Sequence, residues 1–230
     1  MAISLKGRSF LTLSDYTPKE IRYLLDLSHQ VKKEKTEGKR LQRFQGKTLA
    51  LLFEKRSTRT RCAFETAFGE EGGHPVFLST QDIQLGAKES VEDTARVLGR
   101  VFDAIQFRGF KQETVEILAR YSGVPVYNGL TDTDHPTQVL ADLMTLEEAF
   151  GTLRGLKLVF VGDGRNNMAR ALMIGCTKMG VHYSIVAPED LYPEQLLIET
   201  CQSFAAVSGS RISICSTPEN ELRDADAVYT

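Results

Sequence analysis

Hydroxyl and guanidinium side chains alternate in one short run, which contains Ser57, Thr58, Arg59, Thr60 and Arg61. The run follows the apolar residues 49–53, so the pattern predicts a strand and then a helix with Ser57 as its N-cap. The first turn of a helix offers unpaired backbone N–H groups and the positive end of the helix dipole, which favour a phosphate. Hydroxyls and guanidiniums in that turn add charge-assisted hydrogen bonds. The alternative interpretation is an N-cap followed by solvated arginines. Helix capping alone requires fewer hydroxyl and arginine residues than this run contains.

A second run, His135, Pro136, Thr137 and Gln138, combines a histidine with a carboxamide at a predicted helix start. A residue before proline is kept out of helical backbone angles, so the His135 imidazole can project over the strand ends. The imidazole could donate to a carbonyl oxygen as negative charge develops there, and Gln138 could accept from an amide NH₂ group. Taken alone, such a histidine is usually a cap or a surface group. The chain has no Walker-type run and no evident carboxylate pair for magnesium, so acyl transfer is favoured over phosphoryl transfer.

Composition restricts the class of protein. The chain has 230 residues, 42% of them hydrophobic, with a formal net charge of -2 and a sequence pI of about 6.1. This balance gives no indication of a nucleic-acid partner. Neither a membrane-spanning run nor the apolar core of a signal peptide is evident, which predicts a cytoplasmic protein. The four cysteines lack close pairing and metal-ligand spacing, which indicates reduced thiols.

Strands and helices are predicted to alternate along most of the chain. After an N-terminal helix with a Thr17–Glu20 capping box, strands are expected at 47–53, 74–78, 104–107 and 124–127. Helices are expected between them, one of them capped by Ser90, and a further helix is expected from about Pro136. A second block has strands at 156–161, 183–186 and 212–215 and ends in strand-like residues at 225–230. This order predicts an α/β fold: two parallel-sheet domains with helices on both faces, the second Rossmann-like and incomplete. The expected domains are residues 1–150 and 151–230.

In open α/β sheets, ligands lie outside the carboxyl ends of the strands. Ser57 to Arg61 follow the first predicted strand, and the loop with Gln84 and Lys88 follows the second. Arg108 follows the third strand, and the loop that leads to His135 follows the fourth. A lone arginine in such a place is more often a surface charge. The convergence of four strand ends nevertheless predicts a site for an anionic ligand with many hydrogen-bonding groups.

Two runs, Ser57–Arg61 and His135–Gln138, resemble the carbamoyl-phosphate signatures of the aspartate and ornithine carbamoyltransferases. Longer runs, at Lys88–Ser90, Asp93–Arg100 and Gly162–Met168, resemble the ornithine-specific members, and the resemblance covers essentially the whole chain. It implies transfer of the carbamoyl group of carbamoyl phosphate to the δ-amino group of L-ornithine, which gives L-citrulline and phosphate. It also implies that no metal or organic cofactor takes part.

The resemblance assigns roles to individual residues. The catalytic residues would be Arg108, His135 and Gln138: the first two would polarise the carbamoyl oxygen, and Gln138 would orient the amide nitrogen. Asn167 would contact the amino-acid end of ornithine. Gln84 would be offered to the site of a neighbouring subunit, which implies a homotrimer. The carbamoyl-phosphate ligands implied in this way are Ser57, Thr58, Arg59, Thr60, Arg61, Gln84, Arg108, His135, Pro136, Thr137 and Gln138.

The family pattern continues beyond the position of Thr230 with an aspartate-containing strand end, a Ser-Met-Gly loop and a His-Cys-Leu-Pro segment. The sequence as given does not contain them. The expectation is therefore that this chain binds carbamoyl phosphate and turns it over slowly or not at all. Formation of citrulline at an ordinary enzymatic rate would contradict it.

Three alternatives stay open at this point. Gly162 to Asn167 nearly match the dinucleotide fingerprint Gly-x-Gly-x-x-Gly, which would indicate an NAD-dependent dehydrogenase, but Asn167 replaces the third glycine. A non-catalytic homologue that binds carbamoyl phosphate is the second alternative. Within the enzyme class, an aspartate carbamoyltransferase is the third, and the run Arg165 to Met168 argues against it.

Overall fold

The structure, a computed structural model, describes residues 3–79 and 89–230. Contacts between residues divide the chain into two compact units. The first holds the described residues of Met1–Leu11 and Gln30–Asp132, and the second holds Thr12–His29 and Thr133–Thr230. The division expected at residue 150 stays a prediction.

Helices and strands alternate along the described chain. The helices, α1 to α8 in chain order, are Pro18–Thr36, Thr58–Glu70, Val91–Val101, Gln112–Tyr121, Pro136–Phe150, Asn167–Met179, Gln195–Ser208 and Pro218–Leu222. The strands, β1 to β8 in chain order, are Thr48–Phe53, His74–Ser79, Ala104–Arg108, Val126–Asn128, Lys157–Val161, His182–Val186, Ile212–Cys215 and Ala227–Tyr229. Among the described residues, no helix is both long and apolar enough to cross a membrane.

Helix starts follow the capping signals of the sequence. At α1, the Thr17 backbone N–H donates to the Glu20 carboxylate at 2.8 Å, and the Glu20 N–H donates to the Thr17 hydroxyl at 3.3 Å. This reciprocal pair is the predicted capping box. Ser57 and Ser90 are the N-caps of α2 and α3, and the side chain of each accepts from the backbone N–H three residues later. These predicted N-caps are confirmed, and α2 begins at Thr58, directly after its cap.

The sheet of the first unit is parallel, in the order β2-β1-β3-β4. The register places Arg108 beside Phe53, and Asn128 beside Phe107. Since all four strands run the same way, their carboxyl ends lie at one edge, where the loops with Ser57 and Gly129 begin. β4 starts at Val126 and not at 124 as predicted, because the Val124 N–H donates to the Ser122 hydroxyl in the preceding turn, at 3.4 Å.

Both faces of this sheet are buried. On one face, Ala50 and Leu52 of β1 pack with side chains of α3 and α4. On the other, Leu49, Leu51 and Phe53 pack with Phe68 of α2. A strand covered on both faces needs apolar residues at every position, which explains the unbroken run in β1. Helices on both faces of a parallel sheet confirm the predicted architecture for this unit.

The second unit has another parallel sheet, in the order β7-β6-β5-β8. Its core includes Val159, Leu172 and Tyr183, which are fully buried. The Tyr183 hydroxyl donates to the Ala169 carbonyl at 3.1 Å, so the polar end of this buried ring has a partner. The predicted last strand is present as β8, which pairs with β5. All four cysteines are free thiols, as predicted.

Glu221 of the short helix α8 lies in a cluster of donors. Its carboxylate accepts from the Ser184 hydroxyl at 2.7 Å and the Ser213 hydroxyl at 2.8 Å, and it pairs with the Lys157 ammonium at 2.9 Å. The Ser184 hydrogen bond is the main reason that the pKa of Glu221 falls from 4.5 to about 2. These contacts attach α8 to three strands of the second sheet.

Replacing Glu221 by glutamine is expected to lower the free energy of unfolding at pH 7 by about 2 kcal/mol, allowing for partial exposure. A depressed carboxyl pKa stabilises the fold above the unfolded pKa and loses that effect as the pH falls towards the folded pKa. The difference between wild type and variant should therefore shrink by more than half at about pH 3. Urea unfolding at both pH values measures it. Glu219→Gln, an exposed change on the same helix, should have little effect at either pH.

Candidate active site

The start of α2 forms a cluster of hydroxyl groups at the carboxyl end of β1. Ser57 has extended backbone angles, and its Oγ accepts from the Thr60 backbone N–H at 3.2 Å. The Ser57 hydroxyl also donates to the Thr60 Oγ1 at 3.1 Å. Thr58 and Arg59 are exposed, and the N–H groups of a first helical turn have no intrahelical acceptor. The helix start therefore presents donors to the solvent at the edge where ligands bind in α/β sheets.

Arg108, the last residue of β3, extends towards this cluster. Its Nη1 donates to the Thr60 Oγ1 at 3.1 Å and to the Gly129 carbonyl at 3.2 Å. Among the described residues, its buried Nε has no acceptor. Burial lowers the pKa of Arg108, and the positive charge of Arg59 lowers it further. Within residues 3–79 and 89–230, no carboxylate forms an ion pair with either guanidinium, so the two charges favour an added anion.

Arg61, the second arginine of the run, has other partners. Its Nε pairs with the Glu65 carboxylate at 3.0 Å, one helical turn later. Its guanidinium also lies over the Phe77 ring, 3.7 Å from the ring centroid. An ion pair and a cation–π contact hold this side chain along α2. Arg61 is therefore less available to a ligand than Arg59.

The loop after β4 provides the Gly129 carbonyl, which accepts the hydrogen bond from Arg108. The sequence did not predict this contact. Asn128 is fully buried, and its Oδ1 accepts from the Leu130 N–H at 3.0 Å. Leu130 has a φ of 150°, a value that non-glycine residues rarely adopt, and its carbonyl accepts from the Gly109 N–H at 3.0 Å. Hydrogen bonds on both sides keep Leu130 in this conformation. The Asn-Gly pair was the available turn signal.

In the second unit, His135 and Gln138 lie at the start of α5. His135 is the N-cap residue, with φ -144° and ψ 68°, so its non-helical backbone agrees with the prediction. The Thr137 hydroxyl lies 3.3 Å from the His135 Nδ1, and Pro136 occupies the first turn. Gln138 donates from Nε2 to the Asp142 Oδ1 at 2.9 Å. Sequence reasoning missed Asp142, although its spacing of four residues from Gln138 was visible.

Asp134, which precedes His135, is buried. Burial raises the pKa of its carboxyl group from 3.8 to about 6, against the lowering effect of hydrogen bonds with the Thr12 side chain and the His135 backbone. Thr12 in turn accepts from the Ser14 N–H at 3.1 Å. The backbone on the N-terminal side of α5 is thus connected to the 3-10 turn Leu13–Asp15 of the same unit.

Asn167 is the first residue of α6, at the carboxyl end of β5. Asn166 caps this helix by accepting from the Met168 N–H at 2.8 Å. In the preceding loop, Arg165 donates from Nε and Nη2 to the two carboxylate oxygens of Asp163, each at 3.0 Å. Asn167 is therefore placed where an amino acid's charged end could meet a helix N-terminus. Gln84 and Lys88 lie outside the described residues.

Comparison with known proteins identifies the family. Residues 8–148 match the family of the aspartate/ornithine carbamoyltransferase carbamoyl-P binding domain. Residues 154–230 match the aspartate/ornithine carbamoyltransferase Asp/Orn binding domain. The two matches together cover most of the chain and point to transferases, not to dehydrogenases.

Individual relatives support the same family assignment. The chain is 70% identical to an ornithine carbamoyltransferase of Caldanaerobacter subterraneus subsp. tengcongensis, over 100% of this chain and 74% of that protein. It is 63% identical to an ornithine carbamoyltransferase of Thermotoga maritima, with the same coverage. The solved ornithine carbamoyltransferase from Pyrococcus furiosus superposes with a TM-score of 0.97 at 45% identity, over 100% of this chain and 73% of that one. The chain belongs to the aspartate/ornithine carbamoyltransferase family and is a transferase.

Proposed function

We propose that this protein binds carbamoyl phosphate and transfers its carbamoyl group to the δ-amino group of L-ornithine, giving L-citrulline and phosphate. The observation that carries the proposal is the group formed by Ser57, Thr60 and Arg108, with Arg59 nearby. It joins hydroxyl donors, a helix start and two arginines without a carboxylate partner among the described residues. Ornithine, and not aspartate, is supported by the names of the relatives that the chain resembles.

The first unit would bind the phosphate. The backbone N–H groups at the start of α2 and the hydroxyls of Ser57, Thr58 and Thr60 would donate to its oxygens, and Arg59 would balance its charge. Arg61 would act mainly by holding α2 against Phe77, since its guanidinium already has two partners. Phosphate bound in this way is also the leaving group, so the same contacts would stabilise the charge that it gains.

The carbamoyl group would be bound by Arg108, His135 and Gln138. Attack by an amine places negative charge on the carbamoyl oxygen, and Arg108 and His135 are donors that can stabilise it. The Gln138 NH₂ group donates a hydrogen bond to Asp142, so its carbonyl oxygen is the group that would accept from the carbamoyl NH₂ group. Pro136 and Thr137 would fix the backbone and the imidazole of this turn. Catalysis would then depend on positioning and electrostatic stabilisation.

The ornithine site would include Asn167 at the start of α6, where the helix dipole favours the carboxylate of an amino acid. A homotrimer, in which Gln84 of one subunit completes a neighbouring site, is part of the same proposal. Sedimentation velocity of the purified chain, with and without carbamoyl phosphate, tests the trimer. A single monomeric species at every concentration would contradict it.

The binding step is tested by calorimetric titration of the chain with carbamoyl phosphate. Arg59→Ala is expected to weaken binding at least about tenfold, because one charge-assisted contact to the phosphate is lost. Arg120→Ala, an exposed arginine on α4, is the matched control and should bind as wild type. Equal affinities of wild type and Arg59→Ala would remove Arg59 from the phosphate site. No binding by the wild-type chain would overturn the proposed function for this chain.

A further inference from the structure

Gln138 and Asp142 form a side-chain pair along one face of α5. They are four residues apart, so they lie on adjacent turns of the helix. The Gln138 Nε2 donates to the Asp142 Oδ1 at 2.9 Å. An ionised carboxylate only accepts hydrogen bonds, so it binds the NH₂ end of a carboxamide and not the oxygen end. The pair therefore fixes which end of the Gln138 side chain is held by the protein and which end is left for a ligand.

The environment of Asp142 makes this contact its main one. Its Oδ2 is buried and has no hydrogen-bond partner among the described residues, and no lysine or arginine of those residues forms an ion pair with it. Removing a carboxylate oxygen from water without compensation is costly. An exposed glutamine–carboxylate pair on a helix can open freely, but here opening would leave both oxygens of Asp142 without a partner in the described part of the chain. The Gln138 carboxamide is therefore held in one orientation before any ligand binds.

The carbamoyl group needs this orientation. Its nitrogen is conjugated with a carbonyl, so its NH₂ group donates hydrogen bonds and does not accept them. A Gln138 side chain with the reverse orientation would present its own NH₂ group to the NH₂ group of the ligand. Both groups are donors, so no hydrogen bond would form between them. Donation from Nε2 to a carboxylate also polarises the carboxamide, which strengthens Oε1 as an acceptor.

We infer that Asp142 is a positioning residue of the carbamoyl site, which orients the Gln138 carboxamide so that its oxygen faces the NH₂ group of the ligand. The inference rests on the proposed function, because it assumes that Gln138 receives the carbamoyl nitrogen. Asp142 itself does not touch the ligand in this scheme. A merely structural role in α5 would affect every ligand equally, whereas a positioning role affects only ligands that carry the carbamoyl group.

Carbamoyl phosphate and inorganic phosphate separate these roles, since phosphate lacks the group that Gln138 would bind. In calorimetric titrations, Asp142→Ala is expected to weaken binding of carbamoyl phosphate about tenfold, through the freed carboxamide. Its affinity for inorganic phosphate should stay within about twofold of wild type. Glu199→Ala is the matched control, because Glu199 accepts from Gln195 at 2.9 Å in the same spacing on α7. It should leave both affinities unchanged.

Asp142→Asn tests orientation at nearly constant shape. An asparagine can accept from or donate to Gln138, so both orientations become populated and affinity for carbamoyl phosphate should fall between those of wild type and Asp142→Ala. In ¹H–¹⁵N spectra, the Gln138 side-chain signal, assigned through Gln138→Ala, should shift in both Asp142 variants. If Asp142→Ala fails to fold, the asparagine variant decides.

Three outcomes are distinguishable. If carbamoyl phosphate binds in a Gln138-dependent way but both Asp142 variants bind it as wild type does, the inference about Asp142 is wrong and the proposed function stands. If wild type binds inorganic phosphate but shows no preference for carbamoyl phosphate and no dependence on Gln138, the carbamoyl site itself is wrong. A parallel loss of both ligands in a folded Asp142→Asn variant would assign Asp142 a structural role only.

Discussion

Replacing Arg108 by methionine is expected to weaken binding of carbamoyl phosphate about 100-fold, which corresponds to about 2.7 kcal/mol. Arg108 is half-buried, and its guanidinium donates to the Thr60 Oγ1 and the Gly129 carbonyl, so it is already oriented before a ligand arrives. Methionine keeps the apolar length of the side chain and removes every donor. Single-turnover formation of citrulline, where the wild-type chain supports it, should slow by a further factor of about 10² to 10³, because a donor to the developing oxyanion is lost.

The control for this prediction is Arg108→Lys. A lysine restores the charge but not the planar set of donors, so it should recover only part of the lost affinity. Thermal unfolding of each variant checks that the fold is intact. An Arg108→Met variant that is folded and binds carbamoyl phosphate as tightly as wild type would show that Arg108 is no part of the site.

Replacing Gly99 by alanine is expected to lower the free energy of unfolding by about 3 kcal/mol, at the upper end of the usual cost of overpacking. A Cβ atom at Gly99, in α3, would lie 1.7 Å from the Ser122 carbonyl oxygen, at the end of α4. Because that oxygen belongs to the backbone, the two helices would have to separate. Both helices contribute to the core on one face of the first sheet, through Ala95 and Leu98 of α3 and Val115 and Leu118 of α4.

Gly69→Ala is the matched control for the stability measurement. Gly69 is an exposed helical glycine in α2, and a Cβ atom there would meet nothing within 4 Å in the described structure. Alanine has the higher helix propensity, so this variant should gain up to about 1 kcal/mol. Urea unfolding at pH 7 measures both. If Gly99→Ala proves as stable as wild type, α3 and α4 do not approach as closely as the structure shows.

Local sequence signals predicted the elements well. The Thr17–Glu20 capping box, the N-caps Ser57 and Ser90, and the strand–helix alternation all depend on residues within a few positions of one another, and the structure confirms them. The same applies to the non-helical backbone of His135 before Pro136. Such signals act through one backbone turn, so the chain order is enough to detect them.

Residue contacts at the candidate site were predicted less completely. The Arg61–Glu65 pair has i, i+4 spacing, but the position of Arg61 over the Phe77 ring depends on how α2 lies beside β2. Asn128 was not recognised, because its partners Leu11 and Gln112 are far from it in sequence. A polar residue in a strand gives no sign of its partner until the sheet is assembled.

The sequence by itself determined the chemistry that the protein can offer: the hydroxyls and arginines at the start of one helix, the histidine and carboxamide at the start of another, and the parallel order of the strands. These follow from residue types and short spacings. The tertiary structure alone decided which polar groups are removed from water. It also decided which distant group forms a hydrogen bond or ion pair with each of them. Lys178 is buried and donates to the carbonyls of Leu13, Ser14 and Tyr16, and Glu221 collects donors from three strands. Burial depends on every segment that packs against a residue, so no local pattern can specify it.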